Sequence, residues 1–143
     1  MPRSIKTIIA FILLLLFHGS SWSQDPAALN GWAAASKQLA NGKYEITFSI
    51  TVTGGWQLYA PNQTLLEVKT TELKFPDSSI IQQGDFKPAS AAKKISSPLF
   101  DGKTVEVYEG PVSWKAIIQV RGTAPAKLQG TLYYTYGKND EFY

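Results

Sequence analysis

The stretch "YEITFSITV", Tyr44 to Val52, decides the fold class. Tyr44, Ile46, Phe48, Ile50 and Val52 alternate with Glu45, Thr47, Ser49 and Thr51 over nine residues. In an extended chain successive side chains point to opposite sides, so strict period two makes one apolar face and one wet face. On a helix the same residues would scatter around the circumference. The segment reads as a half-buried β-strand.

Working outward, "ANGK" (Ala40 to Lys43) carries Asn41-Gly42, the strongest short hairpin signal, and joins this strand to a first one over Gly31 to Leu39. Downstream, Gly54-Gly55 stops the strand, "WQLYAPN" (Trp56 to Asn62) resumes extended chain, and Pro61 restricts it. Leu65 to Phe75 favours a strand by its Thr and Val content, and Phe75-Pro76-Asp77 is a turn. Ser79 to Phe86 reads as a short strand interrupted by Gly84. Lys87 to Pro98, polar and small with two prolines, reads as a loop in which Lys93 and Lys94 are solvated. Thr104 to Tyr108 and Val112 to Val120 are strands around a Glu109-Gly110-Pro111 turn. Lys127 to Tyr136 is the final strand, closed by a turn at Gly137. No segment carries a clean helical stripe. About seven or eight short strands with turn signals between them predict an all-β, antiparallel sandwich. There is no Cys…Trp…Cys signature, so an antibody-type domain is excluded.

The N-terminus reads as a processing segment. Arg3 and Lys6 precede the ten-residue apolar run Ile8 to Phe17, and "HGSSWS" (His18 to Ser23) follows. This is the layout of a secretory signal over residues 1–23, cut before Gln24. The run is too short to span a bilayer comfortably, which takes about 20 apolar residues. A short tail, residues 24–30, then leads into one domain over residues 31–143. The signal holds two of the 14 basic residues and none of the 11 acidic ones, so the exported chain carries 12 − 11 = +1. That balance gives no basic face for nucleic acid.

The chain has no cysteine, and its one histidine, His18, lies in the signal. Thiol chemistry, Ser-His or Cys-His catalysis and His or Cys metal sites are therefore excluded from the exported domain. The carboxylates are scattered, from Glu45 and Glu67 through Glu106 and Glu109 to Asp140 and Glu141, with no sign of a converging pair. No catalytic residue, metal or cofactor is expected. The aromatics Trp32, Trp56, Trp114, Tyr59, Tyr108, Tyr133, Tyr134 and Tyr136 either pack or offer stacking surfaces. In the last strand Leu132, Tyr134 and Tyr136 share one side and Tyr133 takes the other, which makes Tyr133 the better surface residue.

Four features in order carry a resemblance. They are Trp32 before "LANGKYEITFSI" (Leu39 to Ile50), "GWQLYAPN" (Gly55 to Asn62), "LKFP" (Leu73 to Pro76) and "LFDGKTVEVYEGPVSW" (Leu99 to Trp114). Together they resemble the N-terminal periplasmic domain of the thiol:disulfide interchange protein DsbD, in the short exported form of Bacteroidetes-type bacteria. The likeness spans Gly31 to Tyr143, although Gln63 to Thr71 departs from the family's glycine- and proline-rich stretch.

The resemblance implies an immunoglobulin-like sandwich in the periplasm of a Gram-negative bacterium, or secreted. It also implies a relay of reducing equivalents through one cysteine pair on the last hairpin, four residues apart, after a "G-x-x-x-[FY]-x-x" strand. Here that strand is "GTLYYTY" (Gly130 to Tyr136). The cysteine positions fall on Gly137 and Phe142, with "KNDE" between them. Exchange requires a thiolate attacking a sulfur, so this chain cannot perform it.

What is left is a scaffold without its chemistry: a binding or docking module for a periplasmic or membrane protein. Its expected contacts are Tyr133, Tyr136, Phe142, Tyr143, Trp56 and Tyr59. The alternative is a glycan-binding sandwich using Trp56, Tyr59 or Tyr133. Three local expectations follow from the resemblance and the hairpin signal. Gly137 sits in the turn at positive φ. Phe142 packs over Tyr134 or Tyr136. The last hairpin lacks its return arm, leaving Lys127 to Tyr136 partly unpaired.

Overall fold

The computed structural model describes Leu29 and residues 31–143, and residues 1–23 with the expected signal lie outside it. The chain is all-β and antiparallel, built in two layers. The first layer is a sheet of β1 (Ala33–Ala40), β2 (Lys43–Thr51), β10 (Pro111–Val120) and β7 (Ile80–Pro88), in the order β1-β2-β10-β7. The second combines the ribbon of β6 (Thr71–Lys74) and β11 (Thr131–Tyr134) with a five-stranded sheet. That sheet contains β3 (Gln57–Tyr59), β8 (Lys93–Ser97), β9 (Lys103–Tyr108), β12 (Tyr136–Lys138) and β13 (Glu141–Phe142), ordered β13-β12-β3-β9-β8. A small hairpin of β4 (Thr64–Leu65) and β5 (Val68–Lys69) stands beside it.

The period-two stretch behaves as its pattern requires. Ile46, Phe48, Ile50 and Val52 are buried. They meet the matching set Val112, Trp114, Ala116, Ile118 and Val120 of β10 in the main core, together with Leu58 and Tyr108 from the other layer. Fully burying side chains of this kind contributes about 1.5–3 kcal/mol each. The β1–β2 hairpin turns at Asn41-Gly42. Gly42 holds φ +71° with its Cα hydrogen toward the Val120 carbonyl, where a Cβ would come within 2.8 Å of that oxygen. A side chain is excluded there twice over, by φ and by space.

A second, smaller core lies on the outer side of the five-stranded sheet. Tyr59, Val105 and Val107 face it, capped by Phe100 on the 3-10 turn Pro98–Phe100 and flanked by Leu65, Ile95 and Phe142.

Three expectations are corrected. Lys87 to Pro98 is not a loop throughout, since β7 reaches Pro88 and Lys93–Ser97 forms β8. An edge strand needs little apolar alternation, and lysines there discourage strand addition. Lys93 and Lys94 each approach a neighbour's carboxylate, Glu109 at 3.4 Å and Glu106 at 4.0 Å. Leu65 to Phe75 is not one strand either. A two-residue turn at Leu66-Glu67 splits it, and a third strand follows. Lastly, Lys127 to Tyr136 is a strand only from Thr131, and it breaks at Thr135.

Candidate functional site: the last hairpin and its flanking cleft

Thr135 is where the chain changes partners. Upstream, β11 pairs with β6, placing Tyr133 opposite Glu72 and Tyr134 opposite Thr71. Downstream, β12 pairs with β3, placing Tyr136 opposite Leu58 and Gly137 opposite Gln57. Thr135 itself is buried, and its carbonyl accepts the Tyr59 N–H at 3.0 Å.

The hairpin has a return arm. Gly137 pairs with Phe142 and Lys138 with Glu141. The ladder continues to the last residue, with Tyr136 N–H to Tyr143 O at 3.0 Å and Tyr143 N–H to Tyr136 O at 2.9 Å. Among the described residues β13, not the strand before it, forms this edge of the sheet, opposite the β8 edge. The turn falls at Asn139-Asp140, with Asn139 at φ +53°, a conformation Asn tolerates better than most residues. Gly137 is in the strand and is not among the positive-φ glycines, which corrects its expected place in the turn.

What Gly137 supplies is space. A Cβ there would lie 2.6 Å from the Glu141 carbonyl oxygen and 3.4 Å from the Tyr59 ring. Phe142, directly across, packs edge-on against Tyr59 at 5.3 Å and 84° and against Phe100 at 5.3 Å and 81°. The expectation that it would lie on Tyr134 or Tyr136 is overturned for a geometric reason. Cross-strand partners share a face, and Tyr136, one residue from Gly137, points to the other. Tyr143 takes that second face and stacks on Tyr136 at 5.3 Å and 21°. Trp56 completes the group, 5.7 Å from Tyr136 and 6.1 Å from Tyr143, with the Lys138 ammonium 5.5 Å over its ring. The Tyr143 phenol donates to Glu141 Oε2 at 3.0 Å.

All six expected contact residues thus gather around one hairpin, but not as one surface. Tyr133, Phe142 and Tyr143 line a cleft of about 520 Å³ together with Val68, Lys69 and Lys74. Tyr133 and Tyr143 are about half exposed, at 53% and 51%. Trp56 and Tyr136 stand behind Tyr143. Tyr59 is buried beneath Phe142, which removes it as a stacking surface. Burial pushes its phenol above the ordinary 10.0, against a hydrogen bond with Ser97. Sequence reasoning missed the opposite wall, the β4–β5 hairpin, where Leu66 and Val68 are 70% and 55% exposed. Its Leu66-Glu67 turn holds two non-glycine residues at φ +48° and +65°. The one available signal was a pair of leucines, Leu65 and Leu66, in a polar segment.

Two carboxylates, Glu67 and Glu72, line this cleft together with Lys69 and Lys74, and Glu72 pairs with Lys74 at 3.4 Å. Glu45, Glu72, Glu106 and Glu109 each face a lysine. Among the described residues no group of three acidic, His or Cys side chains could hold a metal, and no helix is long and apolar enough to cross a membrane. In comparison with known proteins, the chain matches no family model, no curated sequence and no solved structure.

Proposed function

We propose that the chain is an exported docking module on an immunoglobulin-like scaffold of the DsbD N-terminal type, with the dithiol removed and the hairpin kept as a protein-contact surface. One observation carries the reading. The two positions that counting assigns to the cysteine pair, Gly137 and Phe142, are direct cross-strand partners. Cα atoms of such partners lie about 4.5–5.5 Å apart, within the reach of a disulfide. Where a dithiol would sit there is a glycine and, across from it, an aromatic side chain, beside a cleft lined by two half-exposed tyrosines and exposed Val68, with Leu66 exposed on the same β4–β5 hairpin. Exposed apolar groups clustered within a polar rim are what a protein partner covers. A glycan platform is less well supported, because Lys138 lies over Trp56 and Tyr59 is buried.

The test is photo-crosslinking in the exporting cell, with a photoreactive residue at Tyr133, Tyr143 or, as control, Lys37 on β1. A discrete protein adduct from the first two positions and none from Lys37 supports docking at the hairpin. No adduct, or the same adducts from all three, overturns it.

A further inference from the structure

The inner side of β1 faces open space. Ala34, Ser36 and Gln38 stand opposite Phe48, Ile46 and Tyr44, so they share the side of the sheet that builds the core. Yet every residue of β1 is exposed, while Phe48 and Ile46, one strand away, are buried. The second layer therefore covers β2 and stops short of β1. Its nearest part is the β6–β11 ribbon, which turns the Leu73–Leu132 pair toward the core and Glu72, Lys74 and Tyr133 outward.

The gap left there is a cleft of about 490 Å³. Small-molecule sites hold roughly 300–1,000 Å³ and are mostly apolar with a few polar groups. Tyr44, Ile46 and Phe48 line it from β2, and Leu73, Phe75, Leu128 and Leu132 line it from the other layer. Five of these seven, all but Ile46 and Phe48, are only half-buried, so apolar surface is left partly wet. The remaining side is built from small, exposed residues, Ala34 and Ser36 of β1 with Ala124 and Ala126 of the loop before β11. Larger side chains at these positions would fill the space. Phe75 is held in place by a glycine, because a Cβ on Gly130 would come within 2.9 Å of its ring. Among the described residues of the lining, Lys127 is the one charged group. It is exposed, and no described carboxylate pairs with it.

We propose that this cleft binds a single-chain anionic amphiphile of the fatty-acid class. The alkyl chain lies along Ile46, Phe48, Leu73 and Leu132, and the carboxylate meets Lys127. The charge pattern selects the head group: an apolar trough with an unpaired cation at its rim attracts an anion and repels a cation. The depth of apolar lining selects the tail, since each methylene taken from water contributes about 0.8 kcal/mol. This cleft and the hairpin cleft lie on opposite faces of the β6–β11 ribbon and share no lining residue. The inference goes beyond docking at the hairpin and does not rest on it.

The test is titration calorimetry on the chain purified from the exporting cell, with laurate kept below its micelle concentration. Saturable one-to-one binding is expected. Hexanoate, six methylenes shorter, should bind more than about a hundredfold more weakly. Lys127→Glu should weaken laurate about tenfold and favour dodecyltrimethylammonium, since an exposed ion pair is lost and a like charge gained. Ala34→Phe puts a ring into the cleft from an exposed strand position and should abolish binding. Circular dichroism checks that both variants fold. No saturable binding, unchanged laurate affinity in either variant, or binding only to phosphatidylglycerol vesicles overturns the proposal. So does a dimer in sedimentation that laurate leaves intact and Ala34→Phe dissolves, which would give the cleft to a second copy of the chain.

Discussion

Phe142 stands directly opposite Gly137 and packs on Tyr59, whose ring lies 3.4 Å from where a Gly137 Cβ would project. An aromatic placed across from a strand glycine shields the bare backbone, a device that pins register in short hairpins. Gly137 and Phe142 thus act as one unit, and each should be intolerant of change for its own reason.

Gly137→Ala should destabilise the fold by about 1–3 kcal/mol, the usual cost of forcing atoms into a filled space. The obstacle is a backbone oxygen, which cannot move aside as a side chain can. Phe142→Ala should cost about 2 kcal/mol, roughly half the loss at a fully buried phenylalanine, because the ring is only partly buried. Urea unfolding measures both. An unchanged midpoint for Gly137→Ala would show that the hairpin yields easily.

Gly137→Cys with Phe142→Cys should form a disulfide under mild oxidation, because the register is right. The bond should be easily reduced, because the Cβ at residue 137 crowds Glu141. Its potential is expected above about −300 mV, outside the range of resistant structural disulfides. Titration against glutathione redox buffers reads this directly. A pair that stays oxidised in strongly reducing buffer would contradict it.

Leu66→Asn with Glu67→Gly should stabilise the chain by about 1 kcal/mol, since both positions hold left-handed backbone that Asn and Gly accept at little cost. If Leu66 is held there to meet a partner, the same change should weaken the hairpin's crosslinked adduct while raising the melting temperature. Thermal unfolding that shows no gain would remove the strain argument.

Tyr59 and Tyr108 set an alkaline limit. Burial raises both phenols above 10.0 in the folded chain. The unfolded chain then loses those protons first, so their stabilisation is intact below about pH 10 and is lost as pH climbs through the raised values. Tyr59→Phe should make stability flatter above pH 10 than in the wild type. Urea midpoints compared at neutral and at strongly alkaline pH decide the matter, and parallel losses in both proteins would refute it.

Much of this was legible in the sequence where one face of a strand is buried and the other is wet. Tyr44 to Val52 and Val112 to Val120 sit in the centre of their sheet, so their patterns report their surroundings. Lys93–Ser97 does not, because an edge strand buries little and its composition answers to solvent. Thr135 gave no warning, since its residue type is as common inside a strand as at a point where the chain changes partners. Counting placed Gly137 and Phe142 on one hairpin but could not orient Phe142, whose direction depends on which residue it faces. The β4–β5 hairpin was hidden because Leu66 and Glu67 lack every usual turn residue.

The break at Thr135 has a mechanical consequence. A pull on Tyr143 first meets the short β12–β13 arm, whose few hydrogen bonds open one at a time like a zip. Beyond it the load passes through a single buried threonine onto β11, which is bonded to a different neighbour. The β12–β13 arm can therefore peel while the tyrosine ribbon holds, and tension applied to one sheet is handed to the other through one residue.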